Sequence, residues 1–314
     1  MFARLFQKPQ DNSKEPENIE KKIWAVAGGK GGTGKSIIAS SIAVQLARRG
    51  KRVAIIDADL GSGNLHTYLG MPQGSVTLAD FLKSKTSRLS DTLVSTQYEN
   101  LYLISDSNEV LGLANVSTQM KEEMIRQIYD LDFEYIIIDV GAGTSYTNLD
   151  FFLVSDHGLL IAVPEPASVE NVYRFIRSCL NRKLMYKFHG TPYQSLVEKA
   201  AYPKETGGVH SIYELVEKIF QADSSSAEQM VNEIMKFKPR LIMNQVRSQS
   251  DIQVGESIRE VTRKYLGLNL SYIGYVTYDD NVKKSAKKRS SLFQEYPNSG
   301  AAVCIRNIVS RFLG

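Results

Sequence analysis

The residues best equipped for chemistry are Gly28-Gly29-Lys30-Gly31-Gly32-Thr33-Gly34-Lys35-Ser36. From Gly29 they satisfy G-x-x-x-x-G-K-[ST], a spacing whose glycines let backbone N–H groups converge on phosphate oxygens. In that pattern Lys35 reaches the outer phosphates and the Ser36 hydroxyl can ligate Mg²⁺. Gly29, Lys30, Gly31, Gly32, Thr33, Gly34, Lys35 and Ser36 are therefore expected to line a nucleotide's phosphate chain. A structural glycine turn is the plain alternative. Against it, the segment lies between an apolar run, Ile23-Trp24-Ala25-Val26-Ala27, and a helical pattern with Ile37, Ile38, Ile42, Ala43 and Leu46 on its spacing. Strand, glycine-rich turn, helix is the context the motif requires.

Two groups of carboxylates stand where such a loop could use them. Asp57-Ala58-Asp59 closes one apolar run, and Asp139 closes another, Tyr135-Ile136-Ile137-Ile138. An acid at the end of a buried strand can hold Mg²⁺ directly or through water; strand-end aspartates also cap helices and turns. Asn244 follows a third such run, and its amide can both donate to and accept from a base. Read on their own, two lysines five residues apart on one tight loop are hard to aim at one phosphate from one side. An outward reach for Lys30 is one reading and a solvated side chain the other.

These residues need a frame, and the apolar pattern supplies one. Runs at 52–56, 101–104, 135–138, 158–163, 240–243 and 270–273 read as strands, with helical patterns between most of them. Alternation of this kind, with strands apolar on both faces, predicts a largely parallel sheet covered by helices on each side. Ligands bind such sheets at the carboxyl ends of the strands. Residues 1–22 are expected to be a polar tail and 23–314 one domain. The stretch 181–238 is too long for a simple crossover, and its helical patterns at 211–221 and 225–237 predict an added helical hairpin. The stripe Ala301, Ile305, Ile308 and Phe312 is expected to pack in the core rather than on a membrane.

Composition narrows the class further. None of the apolar runs approaches the roughly 20 residues of a spanning helix, and no secretory leader is recognisable at Met1, so a cytoplasmic protein is expected. Cys179 and Cys304 stand alone in helical patterns and are expected to be buried thiols, without disulfide or metal spacing. The net charge is +4, but residues 283–314 carry seven cations against Glu295 alone. Any attraction to phosphates or anionic lipid is therefore expected there.

The loop K-G-G-x-G-K-[ST], with the early Lys30, resembles the deviant Walker A loop of MinD/ParA ATPases. That resemblance implies a three-layer P-loop NTPase fold, ATP with Mg²⁺ as ligands, and a homodimer formed when ATP is bound, in which Lys30 reaches the partner's phosphates. It implies further that Asp57 to His66 is switch I and that Asp59 within it orients the attacking water. His66 is expected as a switch or surface histidine. Asp139-Val140-Gly141-Ala142-Gly143 resembles switch II, with Val140 where relatives usually carry a hydroxyl. Val163-Pro164-Glu165-Pro166, Met243-Asn244-Gln245-Val246 and Gly274 to Val282 follow in the order of the FlhG-like branch. There Asn244 is the adenine-reading position and Thr277 replaces a common proline.

The expected function is thus an ATP-hydrolysing dimerisation switch that places or counts a cellular structure, slow without a stimulating protein partner. Lys30 and Lys35 would neutralise charge, Asp59 would place the water, and the helical hairpin would carry partner specificity. A DNA-partitioning ATPase using the basic C-terminal region, or a nucleotide-gated module with little hydrolysis, are the alternatives. The activator motif D-Q-A-x-x-L-R of flagellar relatives is absent from residues 1–22. Met1, Phe2, Leu5 and Phe6 with Arg4 and Lys8 could give weak contact with anionic membrane, reinforced by doubling in a dimer. The iron–sulfur branches of the superfamily need cysteine ligands that two scattered cysteines do not supply.

Overall fold

The computed structural model describes residues 21–60, 63–72, 76–83, 86–106, 116–155, 157–201 and 211–313. The predicted tail lies outside these residues up to position 20. Its last residue, Lys22, already opens the first strand.

Among the described residues the strands are β1 (Lys22–Ala27), β2 (Val53–Ala58), β3 (Val94–Ser95), β4 (Leu101–Ile104), β5 (Tyr135–Val140), β6 (His157–Ala162), β7 (Arg240–Val246) and β8 (Ser271–Thr277). They form one sheet in the order β3-β4-β2-β5-β1-β6-β7-β8. Only the β3–β4 pair is antiparallel. β3, two residues long, is too short to leave a signal in the sequence. The central strands are rich in Ile, Val and Leu because both of their faces are covered: every residue of β2 and β5 is buried.

Alternation along the strands splits the core in two. Trp24, Val26, Ile55 and Ile137 face the helices α1 (Lys35–Ala47) and α13 (Gly300–Leu313). Ile23, Ala25, Ile136 and Ile138 face α4 (Thr118–Asp130), α5 (Tyr146–Leu153) and α6 (Pro166–Lys187). Helix, sheet, helix is the expected three-layer arrangement. In α13, Ala301, Ile305 and Ile308 are buried, and the Phe312 ring lies 4.4 Å from that of Trp24. The terminal stripe therefore belongs to the core, as expected.

Three local expectations need correction. Asn181 does not open an added unit: α6 runs unbroken from Pro166 to Lys187. The addition begins beyond it, with α7 (Gln194–Ala201), which the two expected helical patterns did not include, then α8 (Ile212–Ala222) and α9 (Ser224–Lys236). Val197, Leu215, Ile219, Met230 and Ile234 join the same buried cluster as the sheet, so these helices extend the core. Finally, Cys179 is buried as expected but Cys304 is only half-buried, its Sγ 3.9 Å from the Thr277 hydroxyl. The remaining helices are α2 (Leu65–Tyr68), α3 (Leu78–Leu82), α10 (Gln249–Leu266), α11 (Asp280–Lys287) and α12 (Leu292–Glu295).

Candidate functional site

β1 ends at Ala27 and α1 starts at Lys35, so the glycine loop spans the carboxyl edge of the sheet. Gly32 and Gly34 hold φ angles of +81° and +89°, conformations that side chains with a Cβ rarely adopt. Gly34 leaves the start of α1 without a side-chain cap, and its free N–H groups point to where an anion would sit. Gly29 is required for a different reason. A Cβ there would fall 2.3 Å from the backbone of Asn171, so the first turns of α6 lie directly on the loop.

The two lysines differ in placement. Lys35 is 7% exposed and its charge acts on Asp139. Lys30 is exposed and makes no side-chain hydrogen bond or ion pair among the described residues. One therefore faces into its own site and the other faces outward.

Parallel register brings the acids together. Asp139 on β5 is level with Val26 of β1 on one side and Asp57 of β2 on the other. Both carboxylates are 1% exposed. Burial pushes Asp139 up to about 7, and nearby Asp59 pushes the same way; the Ser36 hydroxyl, which donates to it, and Lys35 pull against them. Asp139 Oδ1 is buried without a hydrogen-bond partner. An unsatisfied anionic oxygen beside a hydroxyl suits a hard divalent cation, so Ser36 and Asp139 fit the expected Mg²⁺. Burial, then Asp139, raise Asp57 well above the usual carboxylate range.

The capping role open to the strand-end aspartates Asp57 and Asp59 falls to Asp57. Its Oδ2 accepts from the Leu65 N–H at 3.0 Å at the start of α2, and a Cβ on Gly63 would lie 2.5 Å from its carboxylate. Asp59 is half-buried and turned toward switch II, where a Cβ on Gly141 would meet its Oδ1 at 2.8 Å. His66 is buried on α2 rather than on the surface; burial, then Arg289, lower its pKa. Val140 is fully buried in the core.

On the base side, a register shift between Met243 and Val246 marks a bulge in β7. It re-aims two amides at the loop: Asn244 Nδ2 donates to the Thr33 carbonyl at 2.8 Å, and Gln245 Nε2 to that of Gly32 at 3.4 Å. Beside them is a cavity of about 110 Å³ lined by residues including Gly34, Ile37, Asn244, Val276, Thr277 and Tyr278. Asn244 thus lies between this cavity and the loop. Gln245 (φ +59°) and Asn171 were not foreseen; a positive φ and a contact between distant helix and loop leave no local signature. A wider groove of about 640 Å³ opens beside Arg52 and Phe133, at the amino ends of β2 and β5, away from these groups.

The glycine loop, the strand-end acids and the parallel sheet define a P-loop NTPase. Residues 18–198 match the family described as ParA: NUBPL iron-transfer P-loop NTPase, and the chain belongs to this ParA/MinD family of ATP-binding P-loop ATPases. It is similar to the antiactivator FleN of Pseudomonas aeruginosa, 23% identical over 92% of this chain and 85% of FleN. It is also similar to the flagellum site-determining protein YlxH of Helicobacter pylori, 27% identical over 53% of this chain and 58% of YlxH. Among solved structures, the septum site-determining protein MinD complexed with Mg-ADP from Pyrococcus horikoshii shares the fold, with TM-score 0.63 and 18% identity, covering 93% of this chain and 96% of that one.

Proposed function

We propose that this protein is an ATP-driven dimerisation switch that regulates the number or position of a cellular structure, with flagellar placement the reading favoured by its similarity to FleN and YlxH. The observation that carries the switch is the division of labour on one loop, with Lys35 buried against Asp139 and Lys30 exposed and unpaired among the described residues. A cation held outward beside its own phosphate site is suited to a second molecule's phosphates.

In this reading the loop N–H groups and Lys35 hold the β and γ phosphates, and the amides at 244 and 245 fix the loop. Mg²⁺, held by Ser36 and Asp139, would offset charge on the phosphate oxygens. Asp59 orients a water on the γ-phosphorus; the new P–O bond forms as the bond to the β–γ bridging oxygen breaks, giving ADP and phosphate. The helices from α7 to α9 serve as the unit that recognises a protein partner. The exposed lysines of α11 keep DNA partitioning as a second reading, which ATP-dependent, salt-sensitive retention on DNA would favour.

The test uses light scattering at saturating Mg·ATP. Asp59→Ala should bind ATP, stop hydrolysing it and run as a dimer, and adding Lys30→Ala should return it to monomer. A monomeric Asp59→Ala variant would remove the dimer switch.

A further inference from the structure

Switch II is bound to the helix that follows it. Asn148, in the first turn of α5, donates from Nδ2 to the Ala142 carbonyl at 2.9 Å and to that of Gly143 at 3.5 Å. A Cβ on Gly141 would lie 3.2 Å from Asn148 Oδ1 and 2.8 Å from Asp59 Oδ1. Asn148 on α5 and Asp59 after β2 therefore flank the same glycine.

Two residues further on, α5 is anchored by a charge cluster. Asp150 is 1% exposed and pairs with Lys121 of α4. From α6, Arg182 reaches its two oxygens at 2.8 and 3.0 Å, and the Tyr186 hydroxyl donates at 2.8 Å. The Arg182 guanidinium also lies over Tyr146 at 4.1 Å and Tyr186 at 4.3 Å. Leu149, Phe151 and Phe152 already bury the apolar face of α5, so a buried carboxylate is not needed for packing. Burial of charge costs stability unless every partner is in place. What it adds is direction: bonds to two neighbouring helices fix the rotation of α5, and so the angle at which Asn148 meets the loop.

We propose that Asn148 is a positioning residue for hydrolysis, holding the Ala142 and Gly143 carbonyls so that Gly141 stays beneath Asp59, with the Asp150 cluster as its anchor. The proposal rests on the reading of Asp59 as the residue that orients water.

The experiment compares the full chain with Asn148→Ala, Asp59→Ala and the double variant, measuring ATP affinity, kcat, KM and melting temperature. Asn148→Ala should keep ATP affinity within about threefold while kcat falls about tenfold, the scale of coupling between contacting groups. A merely structural residue would move affinity and melting temperature along with kcat. In the double variant the Asn148 change should cost nothing further, because its effect passes through Asp59. Unchanged kcat in Asn148→Ala, or a further tenfold loss in the double variant, overturns the proposal. Should Asn148→Ala fail to fold, Gly141→Ala pushes the same two side chains apart while leaving Asn148 in the sequence; it should lower kcat at unchanged affinity, and wild-type kcat there overturns the proposal equally. Wild-type turnover in Asp59→Ala alone would instead overturn the parent reading, whatever Asn148 does.

Discussion

The two ends of the same two strands manage charge in opposite ways. Before β2 and β5, Arg52 pairs with Asp132 at 2.6 Å and Lys51 with Glu134 at 3.0 Å, and all four side chains are partly or largely exposed. At the carboxyl ends of those strands, Asp57 and Asp139 are side by side, each 1% exposed, and burial raises both carboxyls. At the amino ends charge is neutralised within the chain; at the carboxyl ends negative charge is concentrated, and Asp139 Oδ1 has no hydrogen-bond partner among the described residues. The difference separates a region satisfied by its own residues from one whose satisfaction comes with a ligand. A fold tolerates such unmet groups mainly where function needs them.

The largest effect expected from this contrast is at Lys35, whose charge opposes the clustered acids. Lys35→Ala should abolish Mg·ATP binding, a loss of at least about 100-fold by calorimetry, since the loop loses the cation that balances the outer phosphates. ATP affinity equal to wild type would mean that the carboxyl edge is not the nucleotide site.

Asp139→Asn sharpens the comparison by separating stability from ligand binding. The change keeps the side chain's size and removes a buried charge. The nucleotide-free variant should therefore be more stable than wild type at pH 8, because burial raises the Asp139 carboxyl and its ionised form there costs the folded state. The stabilisation that Mg²⁺ adds to bound ADP should disappear, and wild type treated with EDTA should behave like the variant in that respect. Thermal melts with and without Mg·ADP measure both. A variant less stable than wild type without nucleotide would show that Asp139 is satisfied within the chain.

The loop, the parallel sheet and the strand-end acids were legible in the sequence because each depends on neighbours in the chain: an apolar run, then glycines or an acid. The contacts that set Asp57 apart from Asp59 appear only in space, through the Leu65 N–H on one and Gly141 beside the other. The start of the added helices was misplaced because Asn181, Arg182 and Lys183 form a polar run, although Leu184 and Tyr186 beyond it resume the buried face of α6. The Asp150 cluster was invisible for a related reason: Lys121, Asp150 and Arg182 are ordinary charges in helical patterns until three helices bring them together.

The smallest effect belongs at the amino ends. Arg52 is half exposed, pairs with Asp132, and lies 4.8 Å from the Phe133 ring centre. An exposed ion pair contributes about 0.2–1 kcal/mol, and an exposed cation over a ring about 0.5–1 kcal/mol. Arg52→Ala should therefore cost about 1 kcal/mol, seen as a fall in melting temperature of about 1–2 °C for a chain of this size. At 1 M salt the screening length is about 3 Å, so the Coulombic share should shrink and leave mainly the contact with Phe133. ATP hydrolysis should stay at the wild-type rate, because no group that Arg52 touches faces the loop. The measurement is a pair of melts, at low and high salt, beside a turnover assay. A loss above about 3 kcal/mol would be on the scale of breaking a buried pair. That result, or a changed turnover rate, would mean that the two ends of these strands are coupled and that the amino ends do more than neutralise their own charge.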